Sequence, residues 1–385
     1  AIGQWYTHGK EAEQLAYQVT KYQQRNGWSH RDLLRLAHPK ATGATQDVLH
    51  WAVKGWPSVG DEQHPDKALL PIWAFERAKR TTDKREVVRL IREYGLVREC
   101  IPTNFLNEPE VWDALLEKMP LTAMVRNLAT MTRVGLLTPM SLAASKVLAE
   151  LANEERIRKS RLHPVAILAA LLTYKAGHGV KGQNTWTPVA QVVDALDGAF
   201  YRSFGNVTPT GKRWLLGLDV SGSMAGTMVN GMPFLSAVMA ESAMALVTAA
   251  VEPLHAIQAF DTQLRELTIS PRQRLDDVTA EVNRLVNGGT DCALPIRWAT
   301  ETKTPVDVFA LYTDSQTWQG SMHPVQAIRQ YRERTGIPAK MITVAMAANE
   351  YSIGDDSDGG MLNCAGFDTS APSVINEFAT ALPAG

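Results

Sequence analysis

Apolar and polar positions follow two different patterns along the chain, and the change falls near residue 208. Before it, apolar residues recur every three or four positions, as they do at 12, 15, 16, 19 and 22. That spacing is typical of helices that bury one face. It predicts helices at 10–25, 29–38, 45–54, 67–79, 83–94, 109–118, 120–131, 141–153, 163–176 and 188–201. Short helices joined by short loops suggest a solenoid of helix pairs.

Beyond residue 208, short apolar runs alternate with helical patterns. Strands are predicted at 214–220, 255–260, 264–269, 306–312, 340–346 and near 361, and helices at 236–251, 275–286, 293–300, 325–335 and 371–382. This alternation is typical of a mostly parallel sheet covered by helices on both faces. We therefore expect an α-helical domain over 1–208 and a doubly wound α/β domain over 209–385, joined at 209–211.

Charge separates the same two parts. Residues 1–213 contain 29 Lys and Arg against 21 Asp and Glu, a balance of +8, whereas residues 214–385 contain 10 against 19, a balance of −9. A basic half beside an acidic half raises the question of nucleic-acid binding on the basic side. The helical part is therefore where a nucleic acid is expected.

Composition points to the cytoplasm. No apolar run approaches the roughly 20 residues that span a membrane, and the longest candidate, 232–251, is interrupted by Ser236, Glu241 and Ser242. No signal-peptide pattern opens the sequence. The three cysteines form neither a disulfide framework nor a zinc spacing. We expect a reducing, cytoplasmic environment.

Oxygen-bearing side chains follow two of the predicted strands. Asp219, Ser221 and Ser223 end the run at 214–220, Thr290 lies in the glycine-rich stretch NGGTD (287–291), and Asp314 ends the run at 307–313. In an open α/β sheet, ligands bind beyond the carboxyl ends of the strands. Few carboxylates among hard oxygen ligands suit Mg²⁺ best. The alternative is that both acids only cap the helices that follow.

The pattern Asp-x-Ser-x-Ser, followed by a loop Thr and a later Asp, resembles the metal-ion-dependent adhesion site of von Willebrand factor A (vWA) domains. From it we expect a divalent cation held directly by Ser221 and Ser223, with Thr290 binding directly or through water. Asp219 and Asp314 are expected to act largely through water. One coordination position should remain open for a carboxylate of a partner protein.

Long blocks of the sequence resemble the Ro autoantigen family, whose helical part is the TROVE domain. The resemblance covers essentially the whole chain. The matching blocks are VTKYQQRNGWSHRDLLRLAH (19–38), MPLTAMVRN (119–127), TYKAGHG (173–179), PTGKR (209–213), GGTDCALP (288–295) and GMLNCAGFDT (360–369).

This resemblance implies HEAT-like helical repeats, arranged as a ring, joined to a vWA domain. It implies that small noncoding Y RNAs bind an outer basic surface, and that single-stranded 3′ ends of misfolded RNA enter the ring. Lys21 and His38 fall at family positions that contact Y RNA. The residues agree, because Lys21 and Arg25 are i,i+4 on one predicted helix, and Arg31, Arg35 and His38 lie along the next.

Four further candidates in or beside matching blocks have an open assignment: Arg126, Lys175, His178 and Lys181. Each could contact RNA, but Arg126 could equally pair with a helix-end carbonyl, and His178 could be a packing residue. In Ro-like proteins the helical part extends much further before residue 19. We therefore expect this chain to be either a fragment or a shortened member, so ring closure stays open.

Three functions compete at this stage. The first is a non-enzymatic, RNA-binding ribonucleoprotein component in small-RNA handling and RNA quality control, with an exoribonuclease or other protein docking an acidic residue at the cation. The second is a metal-dependent protein-binding module that acts through the A domain without RNA. The third, a hydrolase, lacks a motif that supplies a base. A dinucleotide site is not expected, since the G-x-G-x-x-G pattern at 177–182 follows a predicted helix.

Overall fold

The computed structural model describes residues 2–55, 66–180, 182–314, 319–347 and 353–381. The chain divides into two compact units, Ala1–Lys146 and Val147–Gly385. Within the described residues, no helix is both long enough and apolar enough to cross a bilayer.

The first unit is helical, as the spacing of apolar residues predicts. Its first helices bury a shared core that includes Leu15, Val19, Leu34, Val48 and Ile72. Ser29 begins one helix with the expected capping box, in which it and Asp32 bond each other's backbone amides. The helices are α1 (Ile2–Thr7), α2 (Ala12–Lys21), α3 (His30–Ala37), α4 (Gly43–Lys54), α5 (Leu70–Arg80), α6 (Lys84–Tyr94), α7 (Pro109–Leu116), α8 (Leu121–Arg133) and α9 (Leu142–Ala152), the last of which crosses the division.

A short hairpin interrupts the helices and corrects one prediction. The helix predicted over 10–25 ends at Lys21, and β1 (Gln24–Arg25) pairs antiparallel with β2 (Trp28–Ser29). Asn26 and Gly27 form the turn with φ angles of 51° and 81°. Positive φ at both positions is what a two-residue Asn-Gly hairpin requires. Placing Arg25 on the same helix as Lys21 was therefore wrong, because Asn-Gly marks a hairpin here and not simply a helix end.

The second unit begins with helices that precede its sheet: α10 (Glu154–Ser160), α11 (Pro164–Ala176) and α12 (Ala190–Arg202). Gly177 ends α11 in the left-handed conformation, with φ 71°. The first glycine of the G-x-G-x-x-G pattern thus terminates a helix, and the context for a dinucleotide site is missing, as expected.

The sheet of the second unit has six strands in the order β10-β9-β8-β3-β6-β7, and only the edge strand β7 runs antiparallel. This confirms the predicted mostly parallel α/β architecture. An unpredicted hairpin, β4–β5, precedes the first helix after β3. The strands are β3 (Trp214–Asp219), β4 (Met228–Val229), β5 (Met232–Ser236), β6 (His255–Phe260), β7 (Leu264–Leu267), β8 (Val308–Thr313), β9 (Lys340–Ala345) and β10 (Met361–Ala365). The helices are α13 (Ala237–Val251), α14 (Leu275–Leu285), α15 (Leu294–Glu301), α16 (Pro324–Thr335) and α17 (Ala371–Thr380).

The expected joint at 209–211 is held against the sheet domain. The backbone carbonyl of Thr208 accepts a hydrogen bond from Asn376, and the backbone amide of Thr210 donates to Glu252 at 2.7 Å. Trp214 donates its ring N–H to the Thr210 hydroxyl. The packing therefore places the start of the second compact unit earlier than the sequence pattern does.

Helix α12 contributes to that packing. The Tyr201 hydroxyl accepts a hydrogen bond from the backbone amide of Leu275 at 2.9 Å, where α14 begins. Arg274 forms an ion pair with Asp197 and lies over the Tyr201 ring, 4.6 Å from its centre. These contacts tie the last helices before the joint to the sheet domain.

We expect a fragment that starts at Thr208 to melt cooperatively, but at a lower temperature than one that starts at Asn153. The longer fragment keeps the contacts of Tyr201 and Asp197, and a hydrogen bond contributes about 1 kcal/mol. Calorimetry of both fragments measures the difference. Equal melting temperatures would show that α10–α12 do not stabilise the sheet domain.

Candidate cation site and basic surface

The candidate cation site lies at the carboxyl end of β3, where the order of the strands in the sheet reverses. Strand β3 has β8 on one side and β6 on the other, and all three run parallel. Asp219 is the last residue of β3, and Thr313, followed by Asp314, is the last residue of β8. Side chains that leave neighbouring parallel strands at their carboxyl ends meet at the same edge. The predicted acids are thus brought together, as their places in the sequence require.

The turn after β3 positions the two serines. The Ser221 backbone amide donates to an Asp219 carboxylate oxygen at 2.8 Å, which fixes the turn. The Ser221 and Ser223 hydroxyl oxygens lie 3.0 Å apart. The Thr313 hydroxyl donates to the other Asp219 oxygen. Two adjacent hydroxyl oxygens facing a buried carboxylate form a compact oxygen donor set.

The glycine-rich loop is bonded directly to that turn. The Gly222 amide donates to the Gly288 carbonyl at 3.0 Å, and the Asn287 amide donates to the Val220 carbonyl at 2.8 Å. Gly288 has φ 72°, a conformation that favours glycine. Thr290, two residues further on, is buried. The structure therefore links the Thr290 loop to the serine turn, as the pattern predicts.

Burial gives Asp219 an unusual electrostatic environment. The side chain is fully buried, and removal from water raises its pKa to about 6, while hydrogen bonds from Ser221 and Thr313 oppose this and the nearby Asp314 adds to it. No described residue forms an ion pair with Asp219. By contrast, two neighbouring buried acids, Asp261 and Asp291, each lie beside an arginine. Asp219 is thus a buried acid whose charge no cationic side chain among the described residues balances.

This donor set fits a divalent cation held mainly by hydroxyl oxygens. Among the described residues, no group of three or more His, Cys, Asp or Glu side chains is arranged to hold a metal ion. Ser221 and Ser223 are the adjacent oxygens available as direct ligands, and both Asp219 oxygens already accept hydrogen bonds. Few carboxylates among hard oxygen donors suit Mg²⁺ better than Ca²⁺.

The basic surface of the first unit starts at the end of α2. Lys21 lies 3.4 Å from the Tyr17 hydroxyl, and its ammonium group is 5.1 Å from the centre of the Tyr22 ring. Tyr22 and Trp28 are exposed by 53% and 52%. Exposed aromatic rings among cations offer surfaces on which bases stack. Tyr22 and Trp28 are not predicted as RNA contacts from the sequence, although both lie within the block 19–38.

The remaining predicted cations of this block are exposed. Arg25 lies in the hairpin, and Arg31 and Arg35 lie one turn apart on α3. His38 does not continue α3 as predicted, because it caps the helix end in the left-handed conformation, with φ 42°. Within the part of the chain that the structure describes, none of these four residues forms an ion pair.

The basic residues of α6 differ. Lys84 forms ion pairs with Glu108 and Glu110, and Arg92 forms ion pairs with Asp113 and Glu117. Acidic partners already balance these cations. The arginines of the hairpin and α3 thus differ from these two cations of α6 in having no ion-pair partner among the described residues.

The block 119–127 lies beside Lys21. A groove of about 210 Å³ is lined by Tyr17, Lys21, Arg98, Lys118 and Asn127 among other residues. Two separate blocks of the sequence thus share one groove with a basic wall. Neither the groove nor its arginine and lysine neighbours from other helices could be located from sequence spacing.

The four candidates with open assignments fall in different places. Arg126 is exposed on α8, and Lys175 is exposed on α11. The His178 ring packs edge-on against Phe234, with ring centres 5.1 Å apart, so it has a packing contact. Lys181 lies outside the described residues.

Comparisons with known proteins cover both parts of the chain. A model described as the TROVE domain matches residues 2–173, and one described as the Ro60 vWA domain matches residues 213–379. Two proteins named RNA-binding protein RO60, from Caenorhabditis elegans and Deinococcus radiodurans, are each 40% identical to the chain and match 99% and 96% of it. The chain spans 65% and 69% of their respective lengths.

A solved structure matches as well. The crystal structure of the Deinococcus radiodurans Ro protein aligns with a TM-score of 0.88 and 38% identity. The match covers 98% of this chain and 76% of that one. Similarity in sequence and in fold thus extends over nearly the whole chain, whereas these relatives continue beyond it.

Proposed function

Because the chain belongs to the Ro60 family of TROVE-domain proteins, we propose that it is an RNA-binding component of a ribonucleoprotein and not an enzyme. Its RNA is a small, structured, Y-like RNA, and the single-stranded 3′ ends of misfolded RNA are a second class of ligand, in RNA quality control in the cytoplasm. The observation that supports this most strongly is the basic surface on the hairpin and α3.

The chemistry of that surface suits an RNA backbone and unstacked bases. Arg25, Arg31 and Arg35 can each donate hydrogen bonds to phosphate oxygens, because none forms an ion pair with a described carboxylate. Tyr22 and Trp28 offer ring faces to bases. Phosphate contacts set the position and affinity of the RNA, whereas stacking selects nucleotides that are not paired.

The A domain has a different role in this proposal. Ser221 and Ser223 would hold Mg²⁺ directly and Thr290 directly or through water, with Asp219 and Asp314 acting through water. The bound cation would supply a positive charge and an open position for a carboxylate of a partner protein, such as an exoribonuclease. The groups described around Asp219 are hydroxyls, acids and backbone amides, and this supports a docking site more than a catalytic one.

A protein-binding module that works without RNA is the alternative, and the unbalanced buried charge of Asp219 is the observation that favours it. Binding of a Y-like hairpin RNA to the full chain, measured by filter retention over a range of salt concentrations, separates the two. Four or five phosphate contacts predict a log–log slope of about −3 to −4, since each contributes roughly −0.7 to −0.9. A flat salt dependence, or no retention of RNA, would contradict RNA binding through phosphate contacts and would favour the protein-binding module.

A further inference from the structure

Helix α13 contains a buried carboxylate that no other side chain in the described residues balances. Glu241 is fully buried, and no described side chain forms a hydrogen bond with either of its oxygens. The helix around it is almost entirely apolar, as in AVMAESAMALVTAAV. A buried carboxylate without a partner is costly, whereas an apolar side chain would fill this place without that cost.

Glu241 lies near the acids of the candidate cation site. It lies in the second turn of α13, and the α-helices that follow parallel strands start at the carboxyl edge of the sheet. Burial first, and the Asp219 carboxylate second, raise the pKa of Glu241 well above its ordinary value, while a hydrogen bond from the Asp219 backbone opposes the rise. Burial first, and then Cys364 and Glu241, raise the pKa of Tyr312, which precedes Thr313 on β8. The carboxyl group is therefore close to both strands that carry the acids of the cation site.

A neutral, purely structural role does not satisfy this group. A protonated carboxyl carries an O–H that needs an acceptor, and no described residue accepts from either oxygen of Glu241. An ionised carboxyl at the same place adds to the charge of Asp219. The neutral state leaves an O–H without an acceptor, and the ionised state leaves buried negative charge. A positively charged ligand at the edge of the sheet would stabilise the ionised state and balance its charge.

We propose that Glu241 is a further residue of the cation site, which contributes a third carboxylate and an acceptor for the water around the cation. This inference rests on the proposed cation site of Ser221 and Ser223. It assigns the charge of the site to Asp219, Asp314 and Glu241 together. A site with three acids favours divalent over monovalent cations, because a single positive charge leaves more of the buried negative charge unbalanced.

The test is a titration of the metal-free full chain with Mg²⁺, and separately with Mn²⁺, followed by calorimetry and by the melting temperature. Glu241→Gln keeps the shape of the side chain and removes its charge. We expect this substitution to weaken the binding of both cations by at least tenfold. It should also reduce the rise in melting temperature that the cations cause. Without metal, the variant should melt at or above the temperature of the wild type, because a buried charge is lost.

Glu252→Gln is the matched control. Glu252 caps the other end of α13, is also buried, and also has one oxygen without a partner. It lies about 16 Å from Glu241 along the helix, at 1.5 Å per residue. Cation affinity in this variant should stay within about twofold of the wild type, although a neutral amide oxygen accepts the hydrogen bond of the Thr210 amide less strongly than a carboxylate and so lowers the stability.

The outcomes separate the inference from its premise. A wild type that binds neither cation overturns the cation site itself. A wild type that binds, beside a Glu241→Gln variant that binds equally well, overturns only the role of Glu241. Glu241→Asp restores the charge and should recover part of the affinity. If both substitutions prevent folding with and without cation, Glu241 is a structural residue and the inference fails.

Discussion

Replacing Lys21 and His38 together with alanine is expected to weaken the binding of a structured, Y-like RNA by roughly 30- to 150-fold. Loss of one cation and one stacking or hydrogen-bonding ring removes about 2 to 3 kcal/mol of binding free energy. The slope of log affinity against log salt should become about one unit flatter, since one phosphate contact is lost. Filter retention at several salt concentrations measures both quantities.

The matched control removes the same two residue types elsewhere in the first unit. Lys84 is already balanced by Glu108 and Glu110, and His50 is exposed on α4. The Lys84→Ala and His50→Ala double variant should therefore keep its RNA affinity within about threefold and its salt slope unchanged. If both double variants lose affinity equally, RNA responds to the overall charge of the helical part and not to the surface around Lys21.

Replacing Asp219 with asparagine is expected to abolish the stabilisation that Mg²⁺ gives to the full chain. The amide keeps the size of the side chain and an acceptor for the Ser221 amide, but it removes the buried charge at the centre of the site. A ligand present at 100 times its dissociation constant stabilises a protein by about 2.7 kcal/mol, and this gain should disappear. The melting temperature with and without Mg²⁺ is the measurement.

Asp307→Asn serves as the control at the opposite end of β8. The Arg213 guanidinium holds the pKa of Asp307 below its ordinary value and bonds both of its oxygens. Loss of this pair should lower the melting temperature with and without metal, while the response to Mg²⁺ persists. A Mg²⁺ response that survives in Asp219→Asn would contradict the assigned cation site.

Much of the A domain follows from the sequence because the chemistry there is local. A buried strand followed by Asp219, Ser221 and Ser223 places the three side chains on one turn, whatever the rest of the chain does. Asp314 reaches the same edge because parallel strands share it. The Thr290 loop is less constrained by sequence, and its place is set by the hydrogen bond between Gly222 and Gly288.

The basic surface was predicted less completely. Spacing along a helix placed Lys21 and Arg25 on one face, but the conformation of Asn26-Gly27 directs the chain into a hairpin. His38 caps α3, where a side chain no longer follows the helical spacing. Short turns with positive φ change the direction of the side chains on either side. A periodic pattern therefore gives the residues of the surface but not their arrangement.

Glu241 shows a second limit. In the sequence it only interrupts an apolar run, and a glutamate in a helix is normally exposed. Its burial follows from the burial of α13 on nearly all sides, and this is decided by the packing of the whole domain. A polar residue that interrupts a buried helix becomes informative only when its surroundings are known.

The central claim is that RNA binds the basic surface of the helical part independently of the cation site of the A domain. The most direct test measures the affinity of one Y-like RNA for the wild type, for Asp219→Asn and for the Lys21→Ala and His38→Ala double variant, at a single salt and Mg²⁺ concentration. Constant Mg²⁺ keeps the RNA itself in one folded state. We expect Asp219→Asn to bind like the wild type and the double variant to lose roughly 30- to 150-fold. Wild-type affinity in the double variant, together with loss of binding in Asp219→Asn, would contradict the account.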